Sequence, residues 1–146
     1  MAGDNPTARR FVPVTPRLVF SVVTAAGLVV DAEIHLQLAA DRDAIGSALS
    51  EGNLFRIEAA VALLAGLIVL ALPPRRAAYA AALLVAASAF GAVLLYRYVN
   101  LGSIAPLPNM YEPIWYGEKT VSAVAELVAG VSAAGGLGLT FWRGNV

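Results

Sequence analysis

The stretch LFRIEAAVALLAGLIVLALPPRRAAYAAALLVAASAFGAVLLYRYV, Leu54–Val99, decides the fold. It holds two apolar runs on either side of Pro73-Pro74-Arg75-Arg76. A helix rises about 1.5 Å per residue, so roughly 20 apolar residues cross the hydrocarbon core of a bilayer. Each run has that length. Proline lacks the N–H that would continue a helix, and PPRR is too short to do more than reverse the chain. The reading is a hairpin of two membrane spans, residues 54–72 and 77–99.

Two more runs of the same character flank this hairpin, at residues 18–38 and 121–142. Residues 1–17 and 143–146 are left as polar tails, the first ten read as disordered. The expected fold is all-α, a four-transmembrane-helix bundle with antiparallel neighbours in a single domain. Composition agrees. The chain is 59% hydrophobic and 14% charged, where a soluble domain is about 25% charged. Its formal net charge is zero, which gives no sign of nucleic-acid binding. It has no cysteine, which removes disulfides, thiolate metal sites and cysteine nucleophiles. Nine of the ten basic residues are arginine, a composition typical of GC-rich bacterial genomes.

Charge sets the expected orientation. Arg9, Arg10 and Arg17 precede the first span, Arg75 and Arg76 lie between the second and third, and Arg143 follows the fourth. With four spans these fall on one side, which the positive-inside rule makes cytoplasmic. Asp41, Asp43, Glu51 and Glu112 fall on the other. The expectation is a multi-pass plasma-membrane protein with both termini in the cytoplasm. Arg9-Arg10-Phe11 is a poor match to a twin-arginine signal, and the apolar run after it is too long for a signal-peptide core. The bilayer is the expected partner, with a membrane protein or a second copy of the chain as the protein contact.

Ionisable residues interrupt the spans at one depth. Counted from the cytoplasmic edge, Asp31 and Glu58 lie roughly 21 Å up and Glu126 roughly 24 Å up, with Arg56 and Arg97 slightly higher. The inner two thirds of the bundle carry almost none. At about 100° per residue, Thr24, Gly27, Asp31 and His35 share one stripe of the first helix. Glu58, Ala62 and Ala65 share one on the second, Ala86, Phe90, Val93 and Arg97 on the third, and Ser122, Glu126, Gly130 and Ala134 on the fourth. Small residues mark the faces where membrane helices approach, so these stripes are expected to face inward. Glu33 points the other way, with Gln37. Asp31, His35, Glu58, Arg97 and Glu126 thus form the candidate intramembrane cluster, with Glu33, Arg56 and Lys119 as secondary members. Charges in hydrocarbon cost about 3 kcal/mol each on insertion scales, so Asp31, Glu58 and Glu126 are expected to pair with Arg97 and Arg56, which leaves one carboxylate over for a protonated His35, four residues after Asp31, to balance. Such a cluster is a structural clamp or a polar pocket open to the outside, unless Glu33, Arg56 and others simply snorkel to the interface.

The third loop, NLGSIAPLPNMYEPIWYGEK, Asn100–Lys119, is kept extended by Pro106, Pro108 and Pro113. Its Tyr111, Trp115 and Tyr116 read either as an interfacial aromatic belt or as a cap over the bundle. There is no nucleophile motif, no phosphate-binding glycine loop and no internal repeat. One histidine, no HxxxH or ExxH pair and two nearby arginines argue against a metal, and no cofactor is expected.

The order of these segments carries a resemblance. His35 late in the first span is followed by GNLFRIEAAVALL, then LLYRYVNLG, the proline loop and KTVSAVAEL. Over most of the chain after Arg17 this resembles a group of small four-span integral membrane proteins of actinobacteria. The resemblance implies a fold and a location rather than an activity. DoxX-like proteins are similar in span number and size, and that architecture alone implies a redox-linked accessory role. The residues themselves point first to a non-enzymatic membrane or accessory protein, and next to an outward-facing binder or transporter of a small polar solute or proton.

Overall fold

A computed structural model describes residues 15–44, 49–72 and 75–142. The disorder expected of the first ten residues, the charges at Arg9, Arg10 and Arg143, and the Pro73-Pro74 stop lie outside the described residues. The described chain is all-helical, with no strand among those residues. Helix α1 is Pro16–Ala39, extended by a 3₁₀ turn at Ala40–Arg42. Helix α2 is Glu51–Ala71, α3 is Arg76–Tyr98 and α4 is Gly117–Trp142. All four are long and apolar enough to cross a membrane.

The ends follow local rules. Proline opens α1, where its missing N–H is no loss. Ser50 caps α2 by accepting from the Asn53 N–H at 3.1 Å, and Glu51 lies in the first turn, where a negative charge meets the helix dipole. Both α2 and α4 begin earlier than hydropathy alone suggests, at Glu51 and Gly117. Polar residues belong to their first turns because caps and tertiary partners, not apolarity, decide where a helix starts.

The interior is built from small side chains. Ala32, Ala59, Ala62, Ala82, Ala86, Ala129 and Ala133 are fully buried. Large side chains face outward: Leu84 is 71% exposed, Leu67 62% and Val131 65%. A water-soluble bundle would do the reverse. With lipid as solvent there is no advantage in hiding leucine, and close backbone approach favours alanine and glycine. Gly27 shows the constraint. A Cβ placed there would lie 2.8 Å from the Ala125 carbonyl oxygen and 2.9 Å from the Ala129 Cβ, so α1 and α4 meet at this glycine. Helix α1 also packs on α2, and α3 packs on α4. The stripe expected on α4 drifts. Ser122 and Glu126 are buried, Gly130 is half-buried, and Ala134 is exposed. A repeat of four residues overshoots each turn by about 40°, so by Ala134 the stripe has left the core and Ala133 and Gly136 have replaced it.

Side-chain contacts show which ends meet. The Tyr79 hydroxyl, on α3, donates to the Arg17 carbonyl at 3.0 Å and lies 2.7 Å from Ser21 Oγ, both on α1. Arg76 lies 4.3 Å over the Phe141 ring of α4. The start of α1, the start of α3 and the end of α4 therefore share one end of the bundle. At the other end are the close of α1, the start of α2, the start of α4 and the 99–116 loop.

Candidate functional site

That loop end holds a cavity of about 410 Å³ between α1, α2, α3, the start of α4 and the loop. Its walls are largely apolar, from Leu38, Leu54, Phe55, Val93 and Leu107. Its polar lining divides into two groups.

The deeper group centres on Asp31. Its carboxylate is fully buried because Gly27, one turn earlier, lets α4 come close. Ser122 Oγ is 2.6 Å from Asp31 Oδ1 and 3.2 Å from Glu126 Oε1, so one hydroxyl sits between two carboxyl groups from different helices. His35, one turn after Asp31, brings Nδ1 within 3.0 Å of both Asp31 Oδ1 and the Asp31 carbonyl oxygen. Its ring meets Phe55 edge-on at 5.2 Å. One ligand-type atom each from Asp31, His35 and Glu126 lies within 4.8 Å of the others. His35 and Ser122 reach the cavity surface, and Asp31 and Glu126 lie behind them. Three carboxylate oxygens, Asp31 Oδ2, Glu126 Oε2 and Glu58 Oε1, are buried with no hydrogen-bond partner among the described residues. Glu58 lines the cavity but lies outside the close triad.

The shallower group ties the mouth together. Arg42, on the turn that ends α1, pairs with buried Glu51 of α2 at 2.9 Å. It reaches the Tyr116 hydroxyl at 3.4 Å and Glu112 of the loop at 3.8 Å. Lys119 of α4 is buried and donates a short hydrogen bond to the Glu112 carbonyl, and Glu112 N–H bonds the Tyr96 carbonyl at 3.0 Å. One loop residue thus joins α1, α3 and α4. Burial pushes the Tyr116 phenol above its ordinary range, with the Arg42 charge opposing that rise.

The expected cluster is therefore brought together in part. Asp31, His35 and Glu126 converge, and Glu58 faces the same cavity. The expected arginine pairing is corrected. Arg56 makes a two-pronged pair with Asp43 on the exposed edge of α2, at 2.6 and 2.8 Å, and its guanidinium holds the Asp43 carboxyl below the usual range. Arg97 makes no ion pair among the described residues; it lies near the Tyr98 and Trp115 rings, at 5.1 and 6.0 Å. A face assignment gives direction but not reach, and at the end of a span the long arginine chain turns toward aromatic rings. Glu33 accepts from Gln37 at 2.9 Å on an exposed face, on the side the periodicity indicates. Of the aromatic cap, only Tyr116 lines the cavity. Trp115 covers Lys119 at 5.6 Å, Tyr111 is exposed, and the loop side chains that line the cavity with Tyr116 are Leu107, Met110 and Glu112.

Ser122 and Arg42 are absent from the expected cluster. Ser122 shares the Glu126 stripe, which was the available signal. Arg42 lies beyond the first apolar run, and only the 3₁₀ extension of α1 turns it back toward Glu51. No protein-family model, curated protein or solved structure matches this chain.

Proposed function

We propose that the chain is a multi-pass protein of the plasma membrane with both termini in the cytoplasm and antiparallel neighbouring helices. Its outer half forms a pocket that binds a small solute offering a positive charge or hydrogen-bond donors. The observation that carries this reading is the set of orphaned carboxylate oxygens on Asp31, Glu126 and Glu58. A buried anion left without a cation is costly, and a clamp would have placed Arg97 or Arg56 on it. Here Arg56 pairs with Asp43, Arg97 lies beside the Tyr98 and Trp115 rings with its own Nε buried and without a partner among the described residues, and the basic group beside Asp31 is the imidazole of His35. The clamping is done at the mouth, by Arg42, Glu51, Glu112 and Lys119, and the interior keeps unused acceptors.

Apolar walls with a few convergent polar groups are the ordinary make-up of a small-molecule site. Among the described residues the inner half has no chain of ionisable groups, so the reading is a binding pocket rather than a conduction path.

The native chain has no cysteine, so single cysteines test the pocket cleanly. Val93→Cys, on the cavity wall, is expected to react with a membrane-impermeant thiol reagent added to intact cells. Leu67→Cys, on the lipid-facing side near the other end, is expected not to react. If Val93→Cys reacts only in inverted vesicles, or only after denaturation, the outward pocket is refuted.

A further inference from the structure

We infer that Asp31, His35 and Glu126 bind a divalent first-row metal ion of the zinc or manganese type, held between α1 and α4 beneath the floor of the cavity. The inference deepens the pocket reading and rests on it for the ion's route of entry.

Three features of the site support a metal ion. First, the donor set is one imidazole and two carboxylates, with one atom of each within 4.8 Å of the others. Bond lengths of about 2.0–2.2 Å place ligand atoms of a tetrahedral site about 3.3–3.6 Å apart. Rotamer adjustment closes that difference without moving a helix, since Asp31 and His35 already stand one turn apart on the same face. Second, the carboxylates are built in rather than solvated. Asp31 and Glu126 are 0% and 1% exposed, and each keeps one buried oxygen, Oδ2 and Oε2, without a partner among the described residues. These atoms are lone pairs held in a low-dielectric interior with no proton donor to accept from. Third, charge balances. Two carboxylates and a neutral imidazole carry −2, which a divalent ion cancels. The arginines that argued against a metal face away, Arg56 on Asp43 and Arg97 beside Trp115.

The outer contacts are those of a metal centre as well. Ser122 Oγ holds the inner oxygens of both carboxyl groups, at 2.6 and 3.2 Å, which orients them as second-layer hydrogen bonds do at metal sites. The donor chemistry narrows the ion. Mixed nitrogen and oxygen donors suit zinc, manganese or iron(II). Calcium and magnesium prefer oxygen alone, and copper(I) prefers sulfur.

The test uses the full chain purified in detergent and stripped with a chelator. Zinc chloride is titrated by calorimetry, and manganese(II) by loss of the free-ion paramagnetic resonance signal. The expected result is saturable binding of one ion per chain at micromolar concentration. Asp31→Asn and Glu126→Gln should weaken it at least 100-fold, and Ser122→Ala about 10-fold. Glu33→Gln, on the exposed face of the same helix, should bind as wild type does. Absence of saturable binding of either ion by the wild-type chain below millimolar concentration overturns the proposal. So does one-to-one binding that survives Glu126→Gln and Asp31→Asn unchanged, since the ion is then held elsewhere. The wild-type titration is decisive even if a variant is lost to misfolding. Cysteine labelling that succeeds while metal titration fails leaves the pocket standing and removes the metal. The opposite pattern leaves a metal site that the outer solution does not reach.

Discussion

Glu126→Gln gives the sharpest test of how the deep group is held, because its sign changes with metal. In the metal-free protein, Glu126 faces Asp31 with ligand-type atoms no more than 4.8 Å apart. Two unit charges at that distance repel by about 3.5 kcal/mol at an effective dielectric of about 20. Proton uptake or nearby water relieves part of this, so about 1–3 kcal/mol remains as a cost of the native state. Glutamine keeps the shape and the oxygen that Ser122 contacts, removes the charge, and brings an amide donor toward Asp31. The variant without metal should therefore be more stable than the wild type by about 1–3 kcal/mol, which for a domain of this size raises the apparent melting temperature by about 3–10 °C. With zinc or manganese at about 100 times its dissociation constant, the wild type gains about 2.7 kcal/mol and the variant gains little, so the order closes or reverses. The assay is thermal unfolding in one detergent at one scan rate, in chelator and in metal. A metal-free variant less stable than the wild type by more than about 1 kcal/mol would refute the reasoning, because it would mean that the carboxylate is held by a partner worth more than the repulsion.

Two predictions concern the frame around the site. Tyr79→Phe should lower stability by about 1–3 kcal/mol, since it leaves the part-buried Arg17 carbonyl and buried Ser21 without their hydroxyl partner; unchanged unfolding would show that water replaces the hydroxyl. Arg42→Gln should cost about 2 kcal/mol, because Glu51 stays buried without its cation, whereas Arg56→Gln should leave unfolding unchanged because its pair with Asp43 is exposed. Equal effects of these two variants would contradict the division into a buried mouth and a solvated edge.

Much of the bundle was legible because the bilayer imposes simple rules. Hydropathy located four helices to within a few residues, and the small residues Gly27, Ala62 and Ala86 marked buried faces as expected. The inward direction of Asp31 and the outward direction of Glu33 followed from helical periodicity alone. The errors occurred where a strict repeat of four was carried too far, as at Ala134, or where hydropathy was asked to locate polar helix starts, as at Glu51 and Gly117.

The site was legible only in part, for a physical reason. Sequence periodicity determines the direction in which a side chain leaves its helix and the depth at which it does so. Those two quantities are local, and they placed Asp31, His35, Glu58 and Glu126 at one level. Which charge meets which is a property of helix separation and rotation, and no single helix encodes it. The close approach of α1 and α4 at Gly27 puts Ser122 between Asp31 and Glu126, the turn at Ala40–Arg42 sends Arg42 to Glu51, and the aromatic loop takes up Arg97. The sequence by itself determined four apolar helices and a belt of ionisable groups near one end. Only the tertiary packing decided that the arginines leave that belt, so that His35 rather than an arginine faces its carboxylates.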